Sequence, residues 1–238
     1  MKHSTCFLAA AMLMLTTVFF AGCEKNDNDL GGGNWVDLGL PSGLLWATRN
    51  IGAASPEDYG DYFAWGETSP KSVYDWSTYR YCNGDSTKLT KYCNNSELGY
   101  NGFIDSLTVL QAVDDAATAN YGGRTPTRED WSELMSNTTI SWTKQKGVKG
   151  FLFTGPSGNK LFLPATGWRE GSSLKGEGGS GYYWSSSLYA PLYTYYPIYA
   201  YNFGFFIIDF GSSHDDVWYI DNAVRSRGYS VRAVLSVR

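Results

Sequence analysis

Histidine is nearly absent from this chain: its 238 residues hold two, His3 and His214. A histidine-rich zinc site is therefore excluded. Cysteine is almost as scarce, with Cys6, Cys23, Cys82 and Cys93 and none beyond. Charged residues make up 18% of the chain, low for a soluble domain. The formal net charge of −4 becomes −5 once Lys2 leaves with a cleaved leader. A mildly acidic chain offers no basic face for nucleic acid and none for anionic lipid. No Gly-x-Ser-x-Gly elbow and no Gly-x-x-x-x-Gly-Lys-Ser/Thr loop is present. The common serine-hydrolase arrangement and ATP use are therefore unsupported, and no cofactor is expected. The most apolar segment, Phe7 to Phe20, is about 14 residues, short of the roughly 18–20 a membrane-spanning helix needs.

That short apolar segment has another use. Lys2 precedes it, and Ala21, Gly22 and Cys23 follow it. A basic start, an apolar middle and small residues at the end form a secretory signal. Small residues directly before a cysteine resemble the lipobox of bacterial lipoproteins. The expectation is a signal peptide over 1–22, acylation of Cys23, a flexible lipidated tether over 23–34 and one domain over 35–238. The polar, Gly-rich residues from Glu24 to Gly33 suit a tether. This predicts a lipid-anchored, surface-exposed protein of the bacterial outer membrane. Disulfides persist outside the cytoplasm. Cys82 and Cys93 are thus expected to pair, constraining the unfolded chain by roughly 2–3 kcal/mol.

Aromatics are 16% of the chain and Gly numbers 27, a mixture that favours short strands and many turns. Strands are expected at Leu44–Ile51, Tyr62–Trp65, Gly150–Thr154, Asn159–Leu163, Tyr182–Ser187, Tyr199–Phe210 and Tyr229–Val237. In the last, Ser230 and Arg232 alternate with Val231 and Ala233. Helices are expected at Val113–Tyr121, stopped by Gly122, and after Thr127, an N-cap candidate. Residues 66–104 lack a period and suggest a long irregular insertion pinned by Cys82 and Cys93. Strands, two helices, then strands give an α+β order.

Several segments resemble the Fibrobacter succinogenes major paralogous domain family. They are Val36-Asp37-Leu38-Gly39-Leu40-Pro41-Ser42-Gly43-Leu44-Leu45-Trp46-Ala47, Asp61 to Thr68, Asp114 to Asn120, Arg124 to Trp131, Tyr183-Trp184-Ser185-Ser186-Ser187 and Gly228 to Arg232. The resemblance implies a C-type-lectin-like α+β domain, with short antiparallel strands, two helices and long irregular loops. It implies secreted or lipid-anchored relatives and leaves their activity mostly unassigned. Trp46, Trp65, Trp131 and Trp184 are expected in the core.

Ligand contacts are expected from aromatic loops: Tyr189, Tyr193, Tyr195, Tyr196 and Tyr199, and also His214, Trp218 and Tyr219. Tyrosine offers a rigid apolar face with a polar tip. Asp209, Asp215, Asp216 and Asp221 are the weak candidates for a hard cation, although no metal site is expected. The functional expectation is a non-catalytic binding or adhesion module for a glycan or an extracellular protein. The alternatives are a carboxylate-dependent glycan-active enzyme and a structural envelope component.

Overall fold

A computed structural model describes residues 34–190, 196–209 and 214–237. Within them, two short helices sit among small sheets. The elements are β1 (Trp35–Asp37), β2 (Leu45–Ala47), α1 (Ala116–Tyr121), α2 (Arg128–Asn137), β3 (Thr139–Gln145), β4 (Val148–Thr154), β5 (Lys160–Pro164), β6 (Trp168–Glu170), β7 (Ser173–Lys175), β8 (Ser180–Leu188), β9 (Tyr199–Asp209), β10 (His214–Val224) and β11 (Val234–Leu235). The ladders between them are antiparallel and form four sheets: β1-β2-β11, β3-β4-β5, β10-β9-β8 and β6-β7. The α+β class expected from the element order is observed.

Both helices start where their capping residues dictate. Asp115 accepts from the Ala117 amide and opens α1, and Gly122 closes it at φ 84°. A left-handed C-terminal residue suits glycine, which has no Cβ to clash. The helix begins later than expected because Ala112–Asp114 form a separate 3-10 turn. Thr127 and Asp130 make a reciprocal capping box at α2. Trp131 and Leu134 then point into the core, where Trp131 stacks on Phe203 at 4.9 Å. Trp46, Trp65 and Trp184 are likewise buried.

The hairpin across Gly155–Gly158 joins β4 and β5 as expected. Four segments differ from expectation. Leu44–Ile51 shortens to Leu45–Ala47, and Tyr62–Trp65 holds only an isolated bridge from Phe63 to Tyr229. His214 to Tyr219 belong to a strand, β10, rather than a loop; it pairs with β9 from His214↔Asp209 to Val224↔Tyr199. Its acidic residues hide the alternation, as charges on an edge strand do. Between Tyr229 and Val237, only Val234–Leu235 form a ladder strand. Ser230 and Arg232, expected on the strand face opposite Val231 and Ala233, are fully buried, as Val231 and Ala233 are. Arg232 donates to Asn50 Oδ1 (2.9 Å) and to the carbonyls of Ala47 (3.0 Å) and Phe162 (3.1 Å). These acceptors replace the carboxylate partner that a buried guanidinium usually takes. Burial pulls its pKa down to about 10, so it remains protonated at neutral pH.

The insertion over 66–104 is irregular, but its fastening differs from expectation. Cys82 and Cys93 are both free, which corrects the expected disulfide. Each thiol is turned to a local carbonyl, Cys82 to Trp76 (3.1 Å) and Cys93 to Asn95 (3.1 Å), and burial raises both thiol pKa values. Two charged residues hold the insertion. Arg225, fully buried, donates to the carbonyls of Lys91 (3.0 Å), Tyr92 (3.0 Å) and Pro197 (2.7 Å) and to the Tyr79 hydroxyl (2.9 Å). Asp114 accepts from the Tyr81 and Tyr92 hydroxyls and from Lys91 Nζ.

Candidate functional site

The β10-β9-β8 sheet has two unlike faces because strand side chains alternate. On one face, Phe203 and Phe205 of β9 enter the core around Trp131 and Phe151. On the other, the register sets two cross-strand rows. Tyr182, Gly204 and Tyr219 form one; Trp184, Asn202 and Asp221 form the next. Gly204 has room for no side chain without crowding: a Cβ there would lie 3.1 Å from the Tyr219 ring and 3.2 Å from that of Tyr182. The absence of that one carbon lets two tyrosines meet across the central strand.

Two further segments close over this face. Trp168, at the start of β6, packs edge-on against Tyr182 with centroids 5.2 Å apart. Tyr229 stacks on Trp184 at 4.4 Å and lies 5.2 Å from Tyr182. Together these rows and segments enclose an open pocket of about 180 Å³ lined by Trp168, Tyr182, Asn202, Tyr219, Asp221, Asn222, Arg227 and Tyr229. That volume is small beside the roughly 300–1,000 Å³ of clefts for drug-sized ligands.

The polar groups of this pocket are unevenly satisfied. Asn202 is 2% exposed, and its Oδ1 has no hydrogen-bond partner. The indole Nε1 of Trp168 is also buried and unpartnered. Buried polar atoms are nearly always paired, and leaving one unpaired costs about 1–3 kcal/mol. The residues that carry one orphan acceptor and one orphan donor therefore line a single pocket. At the rim, Asn222 Nδ2 donates to Asp221 Oδ1 at 3.3 Å. Arg227 sends Nε (3.2 Å) and Nη2 (2.9 Å) to Glu170 Oε1, and Glu170 also accepts from Lys175. Those two cations hold the Glu170 carboxyl below its usual range. Burial works against the charge on Arg227, but Glu170 and the Tyr229 hydroxyl overcome it and raise its pKa. Burial, the neighbouring Tyr182 hydroxyl and the Asp221 charge push Tyr219 well above the usual phenol range. Burial does the same to Tyr229. Both tyrosines are therefore neutral hydroxyls at any physiological pH.

No family model, curated protein or solved structure matches this chain.

Of the residues expected to bind whose side chains are described, Tyr219 alone lines this pocket. Trp218 lies on the opposite face, edge-on to Phe151 at 5.7 Å. Tyr189, Tyr196 and Tyr199 pack on one another, with Tyr189 also against Tyr201. Tyr196 remains half exposed. Tyr193, Tyr195 and the His214 side chain lie outside the described residues, as do Cys23 and the tether up to residue 33. The acidic cluster is split by strand alternation: Asp215 and Asp221 share a face, and Asp216 is on the other, near the Trp142 amide. Asp215 and Asp221 stand six residues apart, about 20 Å along a strand. The Asp209 side chain lies outside the described residues. Among the described residues no group of three His, Cys, Asp or Glu side chains is placed to hold a metal. No described helix is long and apolar enough to cross a membrane.

Asn202, Trp168, Tyr182, Arg227 and Tyr229 were not foreseen as site residues. A signal for one pair was present. Asn202 and Gly204 interrupt an otherwise apolar strand at positions two apart, which places a polar group and a gap on one face.

Proposed function

We propose that this protein is a saccharide-binding module with a lectin-like body, carried on a lipidated tether at the outer-membrane surface. The observation that carries the binding function is that Asn202 and Trp168, whose Oδ1 and Nε1 are unpaired, both line a pocket walled by Tyr182, Tyr219 and Tyr229. A sugar hydroxyl both donates and accepts, so a polyhydroxylated ring suits a pocket whose lining residues hold both kinds of unpaired group. Its apolar C–H faces suit aromatic rings. The anchor is supported by the run from Lys2 to Cys23. The lectin-like body is supported by the motifs from Val36 to Arg232 and by the α+β order of small antiparallel sheets. Among the described residues, Asp221 is the one carboxylate lining the pocket. Two-carboxylate glycoside hydrolysis calls for a pair roughly 5–10 Å apart flanking the bond, which favours binding over hydrolysis here.

The test is a glycan array followed by calorimetry on the detergent-solubilised lipoprotein. Binding that is lost in both Asn202→Leu and Tyr219→Ala supports the proposal. A blank array, or binding unchanged by both substitutions, contradicts it.

A further inference from the structure

We propose that the pocket selects uncharged sugar rings and turns away anionic ones such as uronic acids, with Asp221 as the residue that makes the choice. This rests on the saccharide-binding function above and names its ligand class. The charges at the site carry the argument. Arg227 is the cation of the lining, and its Nε and Nη2 are spent on Glu170 Oε1. A ligand carboxylate reaching Arg227 would have to compete with Glu170, which Lys175 also holds in place. Asp221 is placed differently. It is exposed, no described cation pairs with it, and Asn222 is its hydrogen-bond donor. No described hydrogen bond engages its Oδ2. An ionised carboxylate is an acceptor only, and it suits a pair of adjacent hydroxyl donors. The neutral Tyr219 and Tyr229 hydroxyls supply donors and acceptors without charge. Arg227 and Lys175 share Glu170, whereas Asp221 has no described cation beside it, so a second carboxylate brought next to Asp221 is repelled.

The position of Asp221 supports this role. It faces Asn202 directly across the β9–β10 ladder, so the charged rim group and the buried orphan acceptor share one row.

The experiment measures affinity of the detergent-solubilised lipoprotein by calorimetry. The probes are methyl glycosides of glucose, galactose, mannose and N-acetylglucosamine, with methyl glucuronate and methyl galacturonate as the charged counterparts. Measurements are made at 20 mM and 500 mM salt. The expected result is at least tenfold weaker binding of each uronate than of its neutral counterpart at low salt. The gap narrows at high salt as the repulsion is screened. Asp221→Asn brings the two series to within about threefold of each other, with an unchanged melting temperature as the control for folding. A uronate that binds as well as its neutral partner overturns the selectivity while leaving the saccharide site standing. So does a gap that persists in Asp221→Asn. Binding of neither series overturns both.

Discussion

Asn202 and Asp221 are register partners on β9 and β10, one sealed inside the fold and the other open at its rim. Among the described residues, the buried partner lacks a hydrogen-bond partner for Oδ1, and the open one lacks a cation. A fold selected for stability alone would fill that row with apolar residues, as it does on the opposite face with Phe203 and Ile220.

Replacing Asn202 separates stability from function. Because its Oδ1 is unpaired in the fold, Asn202→Leu is expected to leave stability unchanged or raise it by about 1 kcal/mol. Sugar affinity is expected to fall at least tenfold, about 1.4 kcal/mol. Thermal melting and calorimetry on the same variant check both. A large loss of stability would mean that the side chain serves the fold.

Gly204→Ala tests the meeting of Tyr182 and Tyr219. The added methyl lies 3.1–3.2 Å from both rings, so each ring must give by a few tenths of an ångström. The expected cost is about 1 kcal/mol in stability, in the range for mild overpacking. Affinity is expected to weaken severalfold as the walls separate. Unchanged binding would show that the rings are not in contact with the ligand.

The central strand shows how far the sequence reaches. An apolar run from Tyr199 marked β9 and the Thr127 cap marked α2, because strand burial and helix capping are local signals. The four core tryptophans followed from burial tendency. The pocket was not legible, because Trp168, Asn202, Asp221 and Tyr229 meet only through register and through the return of the C-terminal segment over β8. β10 was hidden by its own acidic residues. The partners of Arg232 were not legible either, since its buried acceptors come from Asn50, Ala47 and Phe162, far away in the chain.

The insertion over 66–104 is expected to withstand reduction. With Cys82 and Cys93 free, a reducing agent should leave the melting temperature unchanged. Cys82→Ser is expected to cost no more than about 1 kcal/mol, the scale of one ordinary hydrogen bond. Loss of a native disulfide costs about 2–5 kcal/mol, so a drop of that size on reduction would contradict free thiols.

Asp114 is expected to carry much of that fastening. Asp114→Ala strands the Tyr81 and Tyr92 hydroxyls and should destabilise the protein by about 2–4 kcal/mol. Burial opposes its charge, but the hydrogen bonds from Lys91, Tyr81 and Tyr92 prevail and hold its pKa below the usual carboxylate value. The unfolded chain therefore takes up this proton first as pH falls. The contribution is fully present above about pH 4 and is lost as pH drops through the lower folded value. Denaturant midpoints from pH 6 down to pH 2 should fall less steeply in Asp114→Asn than in the parent. Parallel curves would remove Asp114 from the acid response.

The indole N–H of Trp168 gives the most direct test of the pocket. In a ¹H–¹⁵N spectrum, assigned with Trp168→Phe, that resonance should move on saturation with a neutral methyl glycoside that the protein binds, while the Trp218 indole on the opposite face stays put. A Trp168 signal that stays fixed while sugar binds, or a shift confined to Trp218, would contradict a ligand site on this face of the sheet.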